Sequence, residues 1–108
     1  MTTNETTKIQ PVAGMGCSYG AGSDSYPGTI TRVSESGKTL WMRHDEVLVL
    51  SGSFQTGDCV YTTIERDDTP ELKYSLRKSG RWVPVGCDDV WYMALGIGTR
   101  RYYQDPHF

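Results

Sequence analysis

Two runs of alternating residues, each turned back on itself at a glycine, constrain this chain more than any other feature. Thr39 to Asp45 alternates Leu40, Met42 and His44 with Trp41, Arg43 and Asp45, the period-two pattern of a strand with one buried face. Before it, Tyr26 to Glu35 places Thr29, Thr31 and Val33 on one face and Ile30, Arg32 and Ser34 on the other. Ser36-Gly37-Lys38 joins the two as a tight turn, because glycine supplies the positive φ a hairpin needs. Leu72, Tyr74 and Leu76 alternate in the same way with Lys73, Ser75 and Arg77, Lys78-Ser79-Gly80 turns the chain, and Arg81 to Val85 returns. Pro84 suits an edge position in that hairpin, having no N–H for a central ladder. Cys59 to Glu65 reads as another strand, ended by Asp67-Asp68-Thr69-Pro70, and Met15 to Tyr19 as a short one between glycines. Val90 to Leu95 is expected as a strand in preference to a helical turn, whereas Glu46 to Leu50 is too short for periodicity to decide.

The implied fold is all-β: five to seven short antiparallel strands in a small barrel or roll, SH3-like or OB-like, which buries one face and hides the edges. A chain of 108 residues has room for one small core and not for a large two-layer enzyme. Residues 1–10, rich in Thr and without aromatics, read as a flexible tail, and residues 11–108 as a single barrel-like domain. No stretch approaches the roughly 20 apolar residues of a membrane span. The polar start has neither the basic end nor the apolar run of a signal peptide. Cys17, Cys59 and Cys87 are odd in number and form no Cys-x-x-Cys pair, so they are expected as small free thiols, buried or half-buried, in a cytoplasmic protein.

The motifs that suggest chemistry lack the context that chemistry requires. Gly16-Cys17-Ser18-Tyr19-Gly20 matches G-x-S-x-G, but no helix follows and the chain is about half the size of the fold that uses it. Gly37-Lys38-Thr39 ends like a phosphate loop, yet Arg32 stands where its first glycine belongs. His44 and His107 have no ligand spacing to each other or to the cysteines, so no metal and no cofactor is expected. Asp67-Asp68 and Asp88-Asp89 are adjacent pairs in turns, not carboxyls placed across a cleft in unlike environments. No catalytic residue is assigned.

Two segments are candidates for binding. Gly22-Ser23-Asp24-Ser25-Tyr26-Pro27 collects two hydroxyls, a carboxylate and a phenol ahead of the first hairpin, groups that can hydrogen-bond a ligand or satisfy their own backbone. The charge is also unevenly spread. The formal total is −2, but residues 1–76 carry six basic and ten acidic side chains, and residues 77–108 five basic and three acidic. The later part holds Trp82, Trp91, Tyr92 and Arg100-Arg101-Tyr102-Tyr103, suited to stacking on bases or anchoring a protein interface. The candidate binding residues are therefore Ser23, Asp24, Ser25, Tyr26, Arg43, Arg100, Arg101, Tyr102 and Tyr103. The end of the chain is expected to dock on the body.

Several stretches taken together carry a resemblance: Gly14-Met15-Gly16, Gly22-Ser23-Asp24-x-Tyr26-Pro27, Gly37-Lys38-Thr39, Leu76-Arg77-Lys78-x-Gly80-Arg81-Trp82, and the ending Gly98-x-Arg100-Arg101-Tyr102-Tyr103-x-Asp105-Pro106-x-Phe108. They resemble small accessory proteins of bacteriophages and prophages, a group with no established activity. The resemblance implies a context, the host bacterial cytoplasm, and not a mechanism. The function expected first is a non-enzymatic binding protein that inhibits a host protein, such as a defence nuclease or sensor, in the manner of anti-CRISPR or other anti-defence inhibitors. The alternatives are a sponge for a nucleotide signal, whose pocket often needs a homo-oligomer to close, and a single-strand nucleic-acid barrel. A minor virion component follows, and an enzyme comes last.

Overall fold

The first hairpin forms where the alternation places it, with one change of phase. The computed structural model describes residues 10–21, 24–53 and 58–102. Strand β1 (Gly16–Ala21) pairs antiparallel with β2 (Asp24–Val33), and β2 with β3 (Thr39–His44). Between Ile30 and Arg32 the register shifts, leaving Thr31 without a partner on β3. Such a bulge inserts one residue and reverses the facing of everything after it. Val33 consequently joins Ile30 against the core, while Arg32 falls opposite Trp41 on the outer wall. The simple alternation expected for Tyr26 to Glu35 breaks at that point.

The second hairpin consists of β6 (Leu72–Leu76) and β7 (Trp82–Pro84). Both hairpin turns place a glycine at positive φ, Gly37 at 75° and Gly80 at 92°, where a β-carbon would be strained. Strand β3 pairs with β6, and β8 (Leu95–Ile97) pairs with both β7 and β1. The strand order β1-β2-β3-β6-β7-β8 thus closes into an antiparallel barrel, the all-β class expected and consistent with an SH3-like or OB-like roll. Pro84 pairs with Tyr74 on β6, whereas the contact of β7 with β8 is confined to Trp82 and Leu95. No ladder N–H is asked of Pro84 on that side.

Every barrel strand sends at least one side chain inward: Cys17, Ile30, Leu40, Met42, Tyr74, Trp82 and Leu95 form one buried cluster. Each such apolar side chain contributes ~1.5–3 kcal/mol on burial, so the cluster is the main source of cohesion in the molecule. Burial also pushes the Cys17 thiol and the Tyr74 phenol up to about 12, leaving both neutral. Cys17, Cys59 and Cys87 are all free.

One expectation is corrected. Residues 91–93 are not strand but a single 3-10 turn (Trp91–Met93), closed by Met93 N–H to Val90 O at 3.3 Å and Ala94 N–H to Trp91 O at 3.2 Å. The turn carries the chain across to β1, so that Leu95 falls opposite Tyr19 and Trp82. Trp91, 72% exposed, stays outside the core. The barrel's six strands agree with the five to seven expected, and among the described residues two more, β4 (Glu46–Ser51) and β5 (Val60–Ile64), form a separate two-stranded ribbon beside it. No helix among the described residues is long and apolar enough to cross a membrane.

Candidate functional site

Asp45 is where the chain leaves the barrel for the ribbon, and it is held by a buried polar network. Its side chain is 1% exposed. Its Oδ1 accepts from Thr29 Oγ1–H at 2.7 Å, and its Oδ2 from Arg100 Nε–H at 2.9 Å. Arg100 Nη2–H also donates to Thr29 Oγ1 at 3.0 Å. A buried carboxylate is tolerated when paired and hydrogen-bonded in this way. Gly16 leaves room for the arginine, since a β-carbon there would sit 2.8 Å from Arg100 Cγ. The C-terminal segment therefore lies across the outer wall of β1. Gly98 N–H donates to Gly16 O at 2.8 Å, Ser18 Oγ–H to Thr99 O at 2.6 Å, and Arg101 N–H to Ser18 Oγ at 2.8 Å.

The inner end of the barrel carries a row of aromatic rings. Tyr19 stacks on His44 with centroids 4.1 Å apart, and on Tyr26 at 5.4 Å. Tyr26 meets Tyr102 at 6.0 Å and donates its hydroxyl hydrogen to Asp24 Oδ2 at 3.1 Å. Tyr102 in turn meets the edge of Tyr61 on β5 at 5.5 Å, and its N–H donates to the Tyr61 hydroxyl at 3.2 Å. The row thus runs from inside the barrel to the ribbon. Burial raises the Tyr19 phenol, helped by Tyr26, and raises Tyr102 as well. Burial lowers His44, against the opposing pull of Asp45, so its ring is favoured neutral.

The ribbon has the reverse character. Its register sets Glu46 against Ile64, Leu48 against Thr62 and Val49 against Tyr61, with a bulge at Leu50 before Ser51 meets Val60. No residue of β4 or β5 is buried. Leu48, Val49, Leu50, Val60 and Ile64 are exposed, Leu50 by 63%. Its base is tied by Arg66, which pairs with Glu46 at 3.1 Å and with Asp68 at 2.6 Å. Arg43 Nε–H also donates to Thr69 O at 2.7 Å. An open groove of about 520 Å³ separates Thr31 and Arg43 on the barrel wall from Glu65, Arg66 and Asp67 at the ribbon base. Its mixed charges favour neither an anion nor a cation.

The candidate residues from the sequence divide accordingly. Asp24, Tyr26 and Tyr102 come together at the aromatic row. Arg100 is committed to Asp45, Arg43 faces the groove, and Arg101 is exposed beside Ser18. Ser25 lies opposite Gly20 on β1. Ser23 and Tyr103 lie outside the described residues. Sequence reasoning missed Tyr19, His44 and Tyr61 in the row, and the whole apolar side of the ribbon. A signal for the latter was present, since Val47-Leu48-Val49-Leu50 is apolar at every position directly after Asp45-Glu46. Among the described residues no group of three or more His, Cys, Asp or Glu could hold a metal ion. Comparison with protein-family models, curated proteins and solved structures gives no match in any of the three.

Proposed function

We propose that this chain is a non-enzymatic binding protein that inhibits a host protein by docking the β4–β5 ribbon on it, as the resemblance to phage accessory proteins suggests. The observation that carries the reading is the uncovered apolar side of the ribbon. Leu48, Val60 and Ile64 share one face of the ribbon, with exposed Leu50 at the bulge beside them, whereas Val49, opposite Tyr61, lies on the other face; an uncovered apolar cluster of this kind marks an interaction site. Charge narrows the partner. Residues 46–68 carry Glu46, Asp58, Glu65, Asp67 and Asp68 against Arg66 alone, so the acidity of the chain is concentrated around that patch. A complementary partner presents an apolar patch rimmed by Lys and Arg. Proteins that grip nucleic acid present basic surfaces of that kind, which fits a defence nuclease or a nucleic-acid sensor.

The test is capture of such a partner by the full chain at low and raised salt, beside the Leu50→Asp/Ile64→Asp variant. One stoichiometric nucleic-acid-binding partner, weakened by salt and lost with the variant, is expected. Undiminished capture by the variant, or no capture from hosts with known nucleases, removes the reading. Release of a nucleotide from heated protein would move the assignment to a nucleotide sponge.

A second reading, single-strand nucleic-acid binding, has one observation in its favour. On the outer wall Trp41 lies beneath the Arg32 guanidinium at 3.9 Å, with the Lys73 ammonium at 5.4 Å. A base would have to displace Arg32 to stack there. A mobility shift at low salt, lost with Trp41→Ala, would support this second reading, and no shift at low salt removes it.

A further inference from the structure

We propose that two copies of this chain pair through the free edge of β4, antiparallel about Leu48, and join their ribbons into one four-stranded sheet. Strand β4 has β5 on one side and, among the described residues, no strand on the other. A two-stranded ribbon alone is marginal in water, and three or more strands with an apolar face are needed for independent stability. Exposed edges are normally blunted by lysine, proline or an inward charge. Glu46-Val47-Leu48-Val49-Leu50-Ser51 contains no lysine and no proline, and its single charge stands at the first position.

The sequence of the strand points to a second copy as the occupant. Val47-Leu48-Val49 reads the same in both directions, so a two-fold axis at Leu48 pairs like with like. Leu48 then faces the partner's Leu48, and Val47 faces the partner's Val49. In the same register Glu46 falls opposite the partner's Leu50. The two carboxylates do not meet across the axis, where like charges would be destabilising. An isologous pairing of this kind uses one edge from each copy and closes, instead of growing into a fibre. Leu48 is common to both surfaces, but Val60 and Ile64 lie on β5, away from the paired edge, and stay exposed on one face of the joined sheet, so the pairing does not depend on the docking reading.

Sedimentation equilibrium on the full chain tests the pairing, with Leu48→Lys and Leu48→Glu as variants. The wild type is expected to form a concentration-dependent dimer. Each variant sets like charges on the axis and is expected to weaken the dimer by about tenfold or more. Mixing the two variants puts Lys opposite Glu and is expected to restore the dimer, an outcome that unfolding cannot mimic. A wild type that stays monomeric at millimolar concentration overturns the proposal. So does a dimer that both variants leave intact, or a mixture that fails to pair. None of these outcomes depends on finding a docking partner, so the two readings fail separately.

Discussion

Barrel and ribbon are built from the same kinds of residue and put them to opposite use. Barrel strands spend their apolar positions on a common interior, where Ile30, Leu40 and Met42 have no exposure. The ribbon strands, of similar length and richer in Val and Leu, have no fully buried residue. Charge divides along the same line. Residues 46–68 hold five of the thirteen acidic side chains and one of the eleven basic ones, and without them the chain has a net positive charge. The formal total of −2 is therefore a difference between two regions of opposite sign. Strand propensity alone does not make a core. Closure does, and a two-stranded element that cannot close must find its cover elsewhere.

Leu40→Ala breaks the barrel side of this contrast most severely. Leu40 is fully buried in a cluster fed by all six barrel strands, and truncation leaves a cavity that rigid walls cannot fill. A loss of ~3 kcal/mol is expected, read as a lower midpoint in urea with the slope unchanged. A loss near zero would mean that the interior is not the source of cohesion.

Asp45→Ala probes the joint between the two regions. The substitution leaves Arg100, 28% exposed, with only the more distant Glu65 carboxylate at 3.9 Å and removes the acceptor of the Thr29 hydroxyl. Breaking a fully buried pair costs more, but Arg100 can recover water, so about 2 kcal/mol is expected. The loss should be local. Amide exchange at Gly98, whose N–H is bonded to Gly16 O, should accelerate more than exchange within β3 or β6. Uniform acceleration would show that the segment is not a separate clasp.

These two residues also mark what was legible in the sequence. Leu40 and Met42 declare themselves by alternation, because a half-buried strand has a period of two. The role of Asp45 does not, since its partner Arg100 lies 55 positions away and pairing across that distance leaves no local pattern. The bulge at Thr31 is hidden for a related reason: it exists in the ladder between β2 and β3, not in either strand. Glu46 to Leu50 is too short for periodicity to decide between a strand and a helical turn, and the structure makes it a strand outside the barrel. Composition reports which residues favour a sheet, not which sheet closes. The site was half legible. Asp24, Tyr26 and Tyr102 meet as a cluster, but Tyr61 joins them from the ribbon only because the C-terminal segment is clamped by Arg100.

A smaller effect separates the regions by pH. Burial holds His44 below its ordinary value of 6.5, so the folded barrel favours the neutral ring. The unfolded chain then binds the extra proton first as pH falls. This contribution is intact above the ordinary value and is lost as pH drops below it toward the folded value. Denaturation profiles from neutral pH down to about 5 should show the decline, and His44→Phe should flatten it. A profile unchanged by the substitution would place the pH sensitivity elsewhere, for example among the ribbon carboxylates.

The smallest expected effect is the most direct comparison, because it repeats the first substitution in the other region. Leu50 is the most exposed leucine of the ribbon and sits at its bulge. Leu50→Ala removes the same atoms as Leu40→Ala, but from water and not from a packed interior. No cavity forms, and the apolar surface left to solvent falls in both the folded and the unfolded chain. In dilute solution, where neither a second copy nor a partner covers the ribbon, the change in stability should stay within about 0.5 kcal/mol. Measured against a partner, the same substitution should weaken docking by removing part of the patch. A large loss in the isolated chain would mean that Leu50 packs within the protein, and the distinction between a self-sufficient barrel and an unfinished ribbon would fail. No loss in either measurement would keep the distinction and move the docking face toward Val60 and Ile64.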